Sequence, residues 1–143
     1  MRVIIAGGRD FNDFNLLESN LHKIFKRLAD EGLISKCIQE SKIEIVCGKA
    51  KGADTLGEEF AQIYHFPVKY FPADWDTYGK SAGYRRNAEM ANYAKEDNGV
   101  LIAFWDGKSK GTKHMRLRLP KSVLSNMNIE KGKTKLEIFF DKE

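Results

Sequence analysis

The sequence has no long apolar run and few cysteines, and each shortage excludes a class of protein. None of its apolar stretches approaches the ~20 residues that a membrane-spanning helix requires. The two cysteines, Cys37 and Cys47, are isolated, and no second pair is present to complete a metal-binding cage. We therefore expect a cytoplasmic protein with reduced thiols, no metal site and no membrane partner.

The sequence also shows no internal repeat, low-complexity segment or linker. It begins a strand almost at once, without the basic and apolar segments of a leader, so we expect no secretion. Its 143 residues, 42% hydrophobic and 31% charged, predict one domain over residues 1–143. A net charge of +4 suits an anionic ligand and would tolerate nucleic acid, but it points strongly to neither.

Three apolar strands are each followed by a loop that contains glycine and a cation. The strands cover residues 2–6, 43–47 and 100–104, and the loops contain Gly7-Gly8-Arg9, Gly48-Lys49-Ala50-Lys51-Gly52 and Gly107-Lys108-Ser109-Lys110-Gly111-Thr112. Glycine lets backbone N–H groups approach a ligand, and a helix beginning at Thr112 would add unpaired donors. Because parallel strands end at one edge of a sheet, the loops together predict an anion site.

The rest of the chain alternates between strand and helix patterns. Helices are predicted over residues 14–28, 53–64 and 82–94, further strands over 66–71 and 136–140, a loop over 72–80, and a break at Pro120. This alternation predicts an α/β fold with a mainly parallel sheet of about five strands and helices on both faces. If the first and fourth strands are neighbours, their loops flank the point where a mononucleotide should bind.

Several side chains in these loops have two interpretations. Arg9 would contact a phosphate, or form a surface ion pair with Asp10. Asp54 would hydrogen-bond a ribose hydroxyl, cap its helix, or do both.

Two tryptophans are candidates for stacking on a base, although aromatic residues of this size often fill a core. Trp105 directly follows a buried strand, so the loop residue Trp75 is the better candidate. Tyr78 and Lys80 of the same loop would cover the ligand, as an aromatic lid and a phosphate contact.

Five motifs together resemble the YspA-type branch of the SLOG superfamily. They are Gly7-Gly8-Arg9-Asp10-Phe11, Gly52-Ala53-Asp54, Pro72-Ala73-Asp74-Trp75, Gly79-Lys80-x-Ala82-Gly83-x-x-Arg86-Asn87-x-x-Met90 and Phe104-Trp105-Asp106-Gly107-x-Ser109-x-Gly111-Thr112. The resemblance runs from residue 2 to about 115 and implies a Rossmann-like fold. The superfamily includes the lonely-guy phosphoribohydrolases and the Rossmann-like domain of DNA-processing protein A. It is generally regarded as nucleotide-binding, with ligands related to NAD and ADP-ribose.

The resemblance also implies roles for particular residues. Arg86 matches the catalytic arginine of the lonely-guy enzymes, whereas Asn87 replaces their lysine. Gly7, Gly8 and Arg9 would form the first nucleotide loop, and Gly107, Ser109, Gly111 and Thr112 resemble the phosphate-binding turn of those enzymes. The full predicted ligand-binding set is Gly7, Gly8, Arg9, Gly48, Gly52, Asp54, Asp74, Trp75, Lys80, Arg86, Asn87, Trp105, Gly107, Ser109, Gly111 and Thr112.

The main departure from the lonely-guy pattern concerns the catalytic acid. Those enzymes carry a glutamate three residues after the threonine of the phosphate turn, where this chain has Met115. A methionine cannot accept a proton, which puts that hydrolysis in doubt. Four other carboxylates are candidates to replace it: Asp54, Asp74, Asp106 and Glu89.

Three functions remain open from the sequence. The first is a sensor or sequestering protein for an NAD-like, ADP-ribose-like or cyclic nucleotide, which needs no additional cofactor. The alternative is an N-glycosidic phosphoribohydrolase that uses Arg86, and the second alternative is a DNA-binding protein. By analogy with relatives that associate through exposed helices, a homo-oligomer is expected.

Overall fold

The structure, a computed structural model, describes residues 1–34, 42–118, 129–131 and 134–140. Strands and helices alternate through most of this part of the chain. The elements are β1 (Arg2–Gly7), α1 (Phe14–Asp30), β2 (Glu44–Cys47), α2 (Ala53–Ile63), β3 (Val68–Tyr70), α3 (Trp75–Tyr78), a 3₁₀ turn (Gly79–Ser81), α4 (Ala82–Lys95), β4 (Gly99–Trp105), α5 (Lys110–Arg118), β5 (Ile129–Lys131) and β6 (Thr134–Phe140).

The strands form a six-stranded sheet in the order β3-β2-β1-β4-β6-β5. The first four of these are parallel, whereas β6 pairs antiparallel with both β4 and β5. β1 lies directly beside β4, with Val3 opposite Val100 and Ala6 opposite Ala103. The strand that follows β1 in sequence, β2, pairs with one side of β1, whereas β4 pairs with its other side. The strand order therefore reverses between β1 and β4, and this is the topological switch point.

Helix α1 shows how the local sequence builds the layers. Asp13 precedes it and accepts a hydrogen bond from the Leu16 N–H at 3.0 Å, which caps the first turn. After the helix, Gly32 adopts φ +76° and donates its N–H to the Ala29 carbonyl, which ends the helix. The buried face of α1 repeats at helical spacing in Leu17, Leu21, Ile24 and Leu28.

Alternating side chains of the central strands face two separate hydrophobic layers. Val3 and Ile5 of β1 pack with α1 and α2 on one face. Ile4 and Ala6 pack with α4 and α5 on the other. All seven residues of β4 are buried, as expected for a central strand covered on both sides. This arrangement confirms the predicted α/β fold with helices on both faces.

The structure corrects several details of the sequence prediction. Helix α5 begins at Lys110, so Thr112 is its third residue and does not open it. Residues 72–80 contain the short helix α3 and the start of the 3₁₀ turn, where a loop was predicted. β5 is a strand beyond the predicted set, and Pro120 lies outside the described residues. None of the helices in the described part of the chain combines the length and the apolar character needed to cross a bilayer.

Candidate functional site

A cavity of about 370 Å³ opens at the carboxyl end of β1, where the loops after β1, β2 and β4 meet α4. Its position agrees with the general rule that open α/β sheets bind ligands at the switch point. The lining residues come from all of these segments and from α3. They are Ala6, Gly7, Arg9, Ala50, Lys51, Asp54, Trp75, Lys80, Gly83, Tyr84, Arg86, Asn87, Met90, Ser109, Lys110, Gly111, Thr112 and Met115.

The lining of this cavity is strongly cationic. Five of its side chains carry a positive charge, whereas Asp54 is the one carboxylate among the lining residues. The ion pairs within the described residues involve none of the five, which are Arg9, Lys51, Lys80, Arg86 and Lys110. A concave surface with unpaired cations attracts an anionic ligand.

The first turn of α5 adds backbone donors to the same wall. The helical bond from the Lys113 N–H to the Ser109 carbonyl, at 3.0 Å, is preceded by Lys110, Gly111 and Thr112. N–H groups at these first positions have no acceptor within a helix, and all three residues line the cavity. The positive end of the helix dipole therefore faces the same cavity as the cations.

Asp106 shapes the turn that leads into this helix. Its Oδ1 accepts hydrogen bonds from the Lys108 N–H at 2.7 Å and the Ser109 N–H at 2.9 Å. These two bonds hold the pKa of the Asp106 carboxyl below its ordinary value. Gly107 stands inside the turn with φ +81°, a conformation that glycine adopts at little cost. Asp106 and Gly107 thus position the site without lining the cavity.

The adjacent residues Arg86 and Asn87 connect the two walls of the cavity across α4. Arg86 donates from Nη1 to the Gly48 carbonyl and from Nε to Asn87 Oδ1, the latter at 3.0 Å. Asn87 in turn donates from Nδ2 to the Gly111 carbonyl at 3.2 Å. These bonds hold the Arg86 side chain in place, and a guanidinium has five N–H donors, so others remain for a ligand.

Asp54 is a buried carboxylate at the start of α2. Only 9% of the residue is exposed, and its Oδ2 accepts a hydrogen bond from the Ala50 N–H at 3.4 Å. Burial raises the pKa of Asp54 to about 6, against the opposing effects of Arg86 and of the backbone N–H groups of Ala50 and Gly48. Such a group is partly protonated near neutral pH, which makes it able to accept or to release a proton.

Two aromatic residues form the outer wall of the cavity. Trp75 of α3 is 51% exposed, and it lines the cavity together with Tyr84 of α4. Tyr78 does not line it and lies instead beneath the Arg85 guanidinium, 4.4 Å from the ring centroid. Trp105 is only 2% exposed at the end of β4, so its ring belongs to the protein interior.

Ten of the predicted ligand-binding residues line this cavity, and six do not. Gly52 is the N-cap of α2 and has φ +80°, and a side chain there would place Cβ 2.1 Å from the Gly8 carbonyl oxygen. The Gly48 carbonyl accepts a hydrogen bond from Arg86. Asp74 caps α3 by accepting a hydrogen bond from the Thr77 N–H at 3.1 Å. The six that do not line the cavity are Gly8, Gly48, Gly52, Asp74, Trp105 and Gly107.

The structure also brings in residues that the sequence analysis did not select. Lys51 lies within the predicted second loop, and Lys110 within the third, so both were within reach of the loop pattern. Tyr84 precedes Asn87 by three residues, which places the two on one helical face. Met115, which the sequence resemblance aligns with the lonely-guy glutamate, lines the cavity and packs with Met90 in the core.

Within the described residues, no group of three or more His, Cys, Asp or Glu side chains is arranged to hold a metal ion. The charged side chains that line the cavity are five cations and the Asp54 carboxylate, a set that favours anions.

Comparison with known proteins places the chain in a family. It is 29% identical over 136 residues to the Gene 61 protein of Mycobacterium phage D29, an alignment that covers 89% of this chain and 94% of the phage protein. No solved structure matches the chain at a significant level. The family model of the YspA, cpYpsA-related SLOG family matches residues 1–78, which include β1, β2 and the loops that follow them. Because this match spans more than half of the 143 residues, the protein belongs to the YspA, cpYpsA-related SLOG family.

Proposed function

We propose that the protein binds a phosphorylated nucleotide, or a ligand derived from one, in the cavity at the carboxyl edge of the sheet. The observation that carries this proposal is the charge of the lining, which has five cations, none of them in an ion pair among the described residues, and a single carboxylate. Membership of a SLOG family is consistent with nucleotide-related binding. The protein would act as a sensor or a sequestering protein for an NAD-like, ADP-ribose-like or cyclic nucleotide.

The chemistry of the walls suggests how such a ligand would lie. Its phosphate would meet the first turn of α5 and the guanidinium groups of Arg9 and Arg86, which offer charge-assisted hydrogen bonds. The base would stack on the exposed ring of Trp75 or Tyr84. The ribose would then lie near Asp54, whose carboxylate can accept hydrogen bonds from its hydroxyls.

Calorimetric titration with AMP, NAD, ADP-ribose and cyclic ADP-ribose tests this proposal directly. We expect at least one of them to bind with micromolar or lower Kd and to be recovered intact by chromatography. Arg9→Ala should weaken that binding at least tenfold, because it removes a cation that lines the cavity.

Arg27→Ala is the matched control, since it removes the same charge from α1, where Arg27 pairs with Glu31 outside the cavity. Its affinity should equal that of the unmodified protein. If none of the nucleotides binds, or if both arginine variants bind equally well, the proposal is wrong.

A further inference from the structure

Asn87 of α4 is almost buried, and the protein itself engages both polar atoms of its side chain. Only 8% of the residue is exposed, although it lines the cavity. Its Oδ1 accepts a hydrogen bond from Arg86 Nε at 3.0 Å, and its Nδ2 donates to the Gly111 carbonyl at 3.2 Å. The amide that the sequence analysis selected as a ligand contact therefore joins two other parts of the site.

These two neighbours fix the direction in which the amide of Asn87 faces. A guanidinium only donates hydrogen bonds, and a backbone carbonyl only accepts them. If the amide turned over, two donors would meet at Arg86 and two acceptors would meet at Gly111. The amide oxygen is thus held towards Arg86. An aspartate at this position would lack the donor for Gly111, and a lysine would lack the acceptor for Arg86.

Arg86 is anchored at two of its nitrogen atoms by neutral oxygens. Its Nε donates to Asn87, and its Nη1 donates to the Gly48 carbonyl. Because neither acceptor carries a charge, the guanidinium is held in place while it keeps its positive charge and its remaining N–H donors. A side chain that is held before binding loses less conformational freedom when it binds a phosphate.

From this geometry, and resting on the proposed nucleotide site, we infer that Asn87 is a positioning residue. It holds the Arg86 guanidinium in the orientation that binds the phosphate of the nucleotide, and it does not contact the nucleotide itself. Through the Gly111 carbonyl, the same amide ties Arg86 to the first turn of α5, the other proposed phosphate contact. Asp106 holds the turn before α5 independently, so the loss of Asn87 should act mainly on Arg86.

A double-mutant cycle with Arg86→Lys tests this role. Lysine keeps the positive charge, so binding stays measurable, but it has a methylene group where arginine has the Nε–H that bonds to Asn87. In calorimetric titrations with AMP, NAD and ADP-ribose, Asn87→Ala should raise the Kd of the nucleotide that binds by about tenfold, as expected within one hydrogen-bond network. In the Arg86→Lys background it should raise Kd by less than about twofold, because no Nε–H remains to be positioned.

Asn87→Leu is a second variant, since it keeps the approximate shape of the side chain and removes both polar atoms. It should give the same loss of affinity and the same cycle. Asn92→Ala is the matched control, because Asn92 is exposed on the same helix and does not line the cavity. It should leave Kd unchanged in both backgrounds.

Equal losses of affinity in the two backgrounds overturn the inference, because they show that Asn87 acts on the nucleotide without Arg86. An unchanged Kd in both Asn87 variants overturns it as well. Either result leaves the proposed nucleotide binding intact. Absence of nucleotide binding by the unmodified protein overturns the proposed function and the inference together.

A further measurement needs no variant of Asn87. In nitrogen–proton correlation spectra, the Nε–H of Arg86 is the signal that disappears in Arg86→Lys. In the unmodified protein it should exchange with solvent at least about tenfold more slowly than the Nε–H of Arg9, an exposed side chain without an ion pair among the described residues. Equal exchange rates would show that Asn87 does not hold the guanidinium, and would overturn the inference.

Discussion

The charged side chains at the amino and carboxyl edges of the parallel sheet differ in whether they form ion pairs. At the amino edge, Arg2 of β1 donates to the Tyr93 carbonyl at 2.6 Å and to Glu96 at 2.9 Å. Its guanidinium also lies 3.7 Å from the centroid of the Tyr93 ring, and the Tyr93 hydroxyl donates to Glu44. Every partner in this cluster belongs to the protein itself, so the cluster joins β1 and β2 to the end of α4.

At the carboxyl edge, five cations surround a cavity and none of them enters an ion pair among the described residues. Charged side chains therefore hold segments of the protein together at the amino edge, whereas at the carboxyl edge the cations remain free to contact a ligand. Like charges that gather around a cavity repel one another and add nothing to folding. The contrast supports the proposal that an anionic ligand binds at the carboxyl edge.

The largest expected effect tests how closely the backbone packs at the carboxyl edge. In Gly7→Ala the new Cβ would lie 1.9 Å from the Phe104 carbonyl oxygen and 2.9 Å from the Ala53 Cβ. Because the main chain must move to relieve these contacts, we expect a loss of about 3 kcal/mol of unfolding free energy in urea denaturation. Gly8→Ala is the control, since a Cβ at Gly8 has no neighbour within 4 Å. Equal stabilities of the two variants would contradict the close packing of β1 against β4.

The next prediction concerns Asp54, the single acid of the cavity. Its pKa is raised from 3.8 to about 6, so between these values the folded state holds a proton that the unfolded state has lost. Stability therefore falls as the pH rises through this window, and the ionised carboxylate costs about 3 kcal/mol above it. Asp54→Asn should be more stable than the unmodified protein by about this amount at pH 8, and by almost nothing at pH 3.5.

Chemical denaturation at the two pH values measures this difference, with Glu59→Gln as the exposed control on the same helix. The control should change the unfolding free energy by less than about 0.5 kcal/mol at either pH. An advantage of Asp54→Asn that is the same at both pH values would show that the cost of Asp54 is not its charge.

Much of this fold could be predicted from the sequence, because apolar runs and helical spacing are local features. The strand from Val100 to Phe104 and the face of α1 follow directly from them. The position of β1 beside β4 could be predicted only conditionally, because strand order depends on packing between distant segments. The start of α5 at Lys110 was missed because Asp106 organises the preceding turn through its side chain.

Less of the candidate site could be predicted from the sequence. Parallel strands bring their loops to one edge in any such sheet, so the meeting of Gly7, Lys51 and Gly111 follows from topology. The burial of Asp54 and the different positions of the two tryptophans do not. The burial of Asp54 and the positions of the tryptophans depend on how α2, α3 and β4 pack, which local sequence patterns do not reveal.

A third prediction separates the aromatic wall from the cations. Trp75→Ala should weaken AMP binding by about 1–3 kcal/mol, or about 5- to 150-fold in Kd, because stacking on the base is lost. Binding of ribose 5-phosphate, which has no base, should not change. Tyr64→Ala, which removes an exposed ring outside the cavity, serves as the control in the same calorimetric titrations. A loss of affinity that is equal for AMP and ribose 5-phosphate would show that Trp75 does not contact the base.

The smallest effect is the most direct test of the contrast between the two edges. Arg2→Ala should cost about 1 kcal/mol of unfolding free energy, the scale of a partly exposed ion pair with a cation–π contact, and leave AMP affinity unchanged. Lys80→Ala should do the reverse, with stability within about 0.5 kcal/mol and AMP affinity about tenfold lower. The two variants lose the same charge, so the net charge of the protein cannot explain a difference between them. If Lys80→Ala instead lost stability and kept its affinity, the cations of the carboxyl edge would serve the fold, as those of the amino edge do.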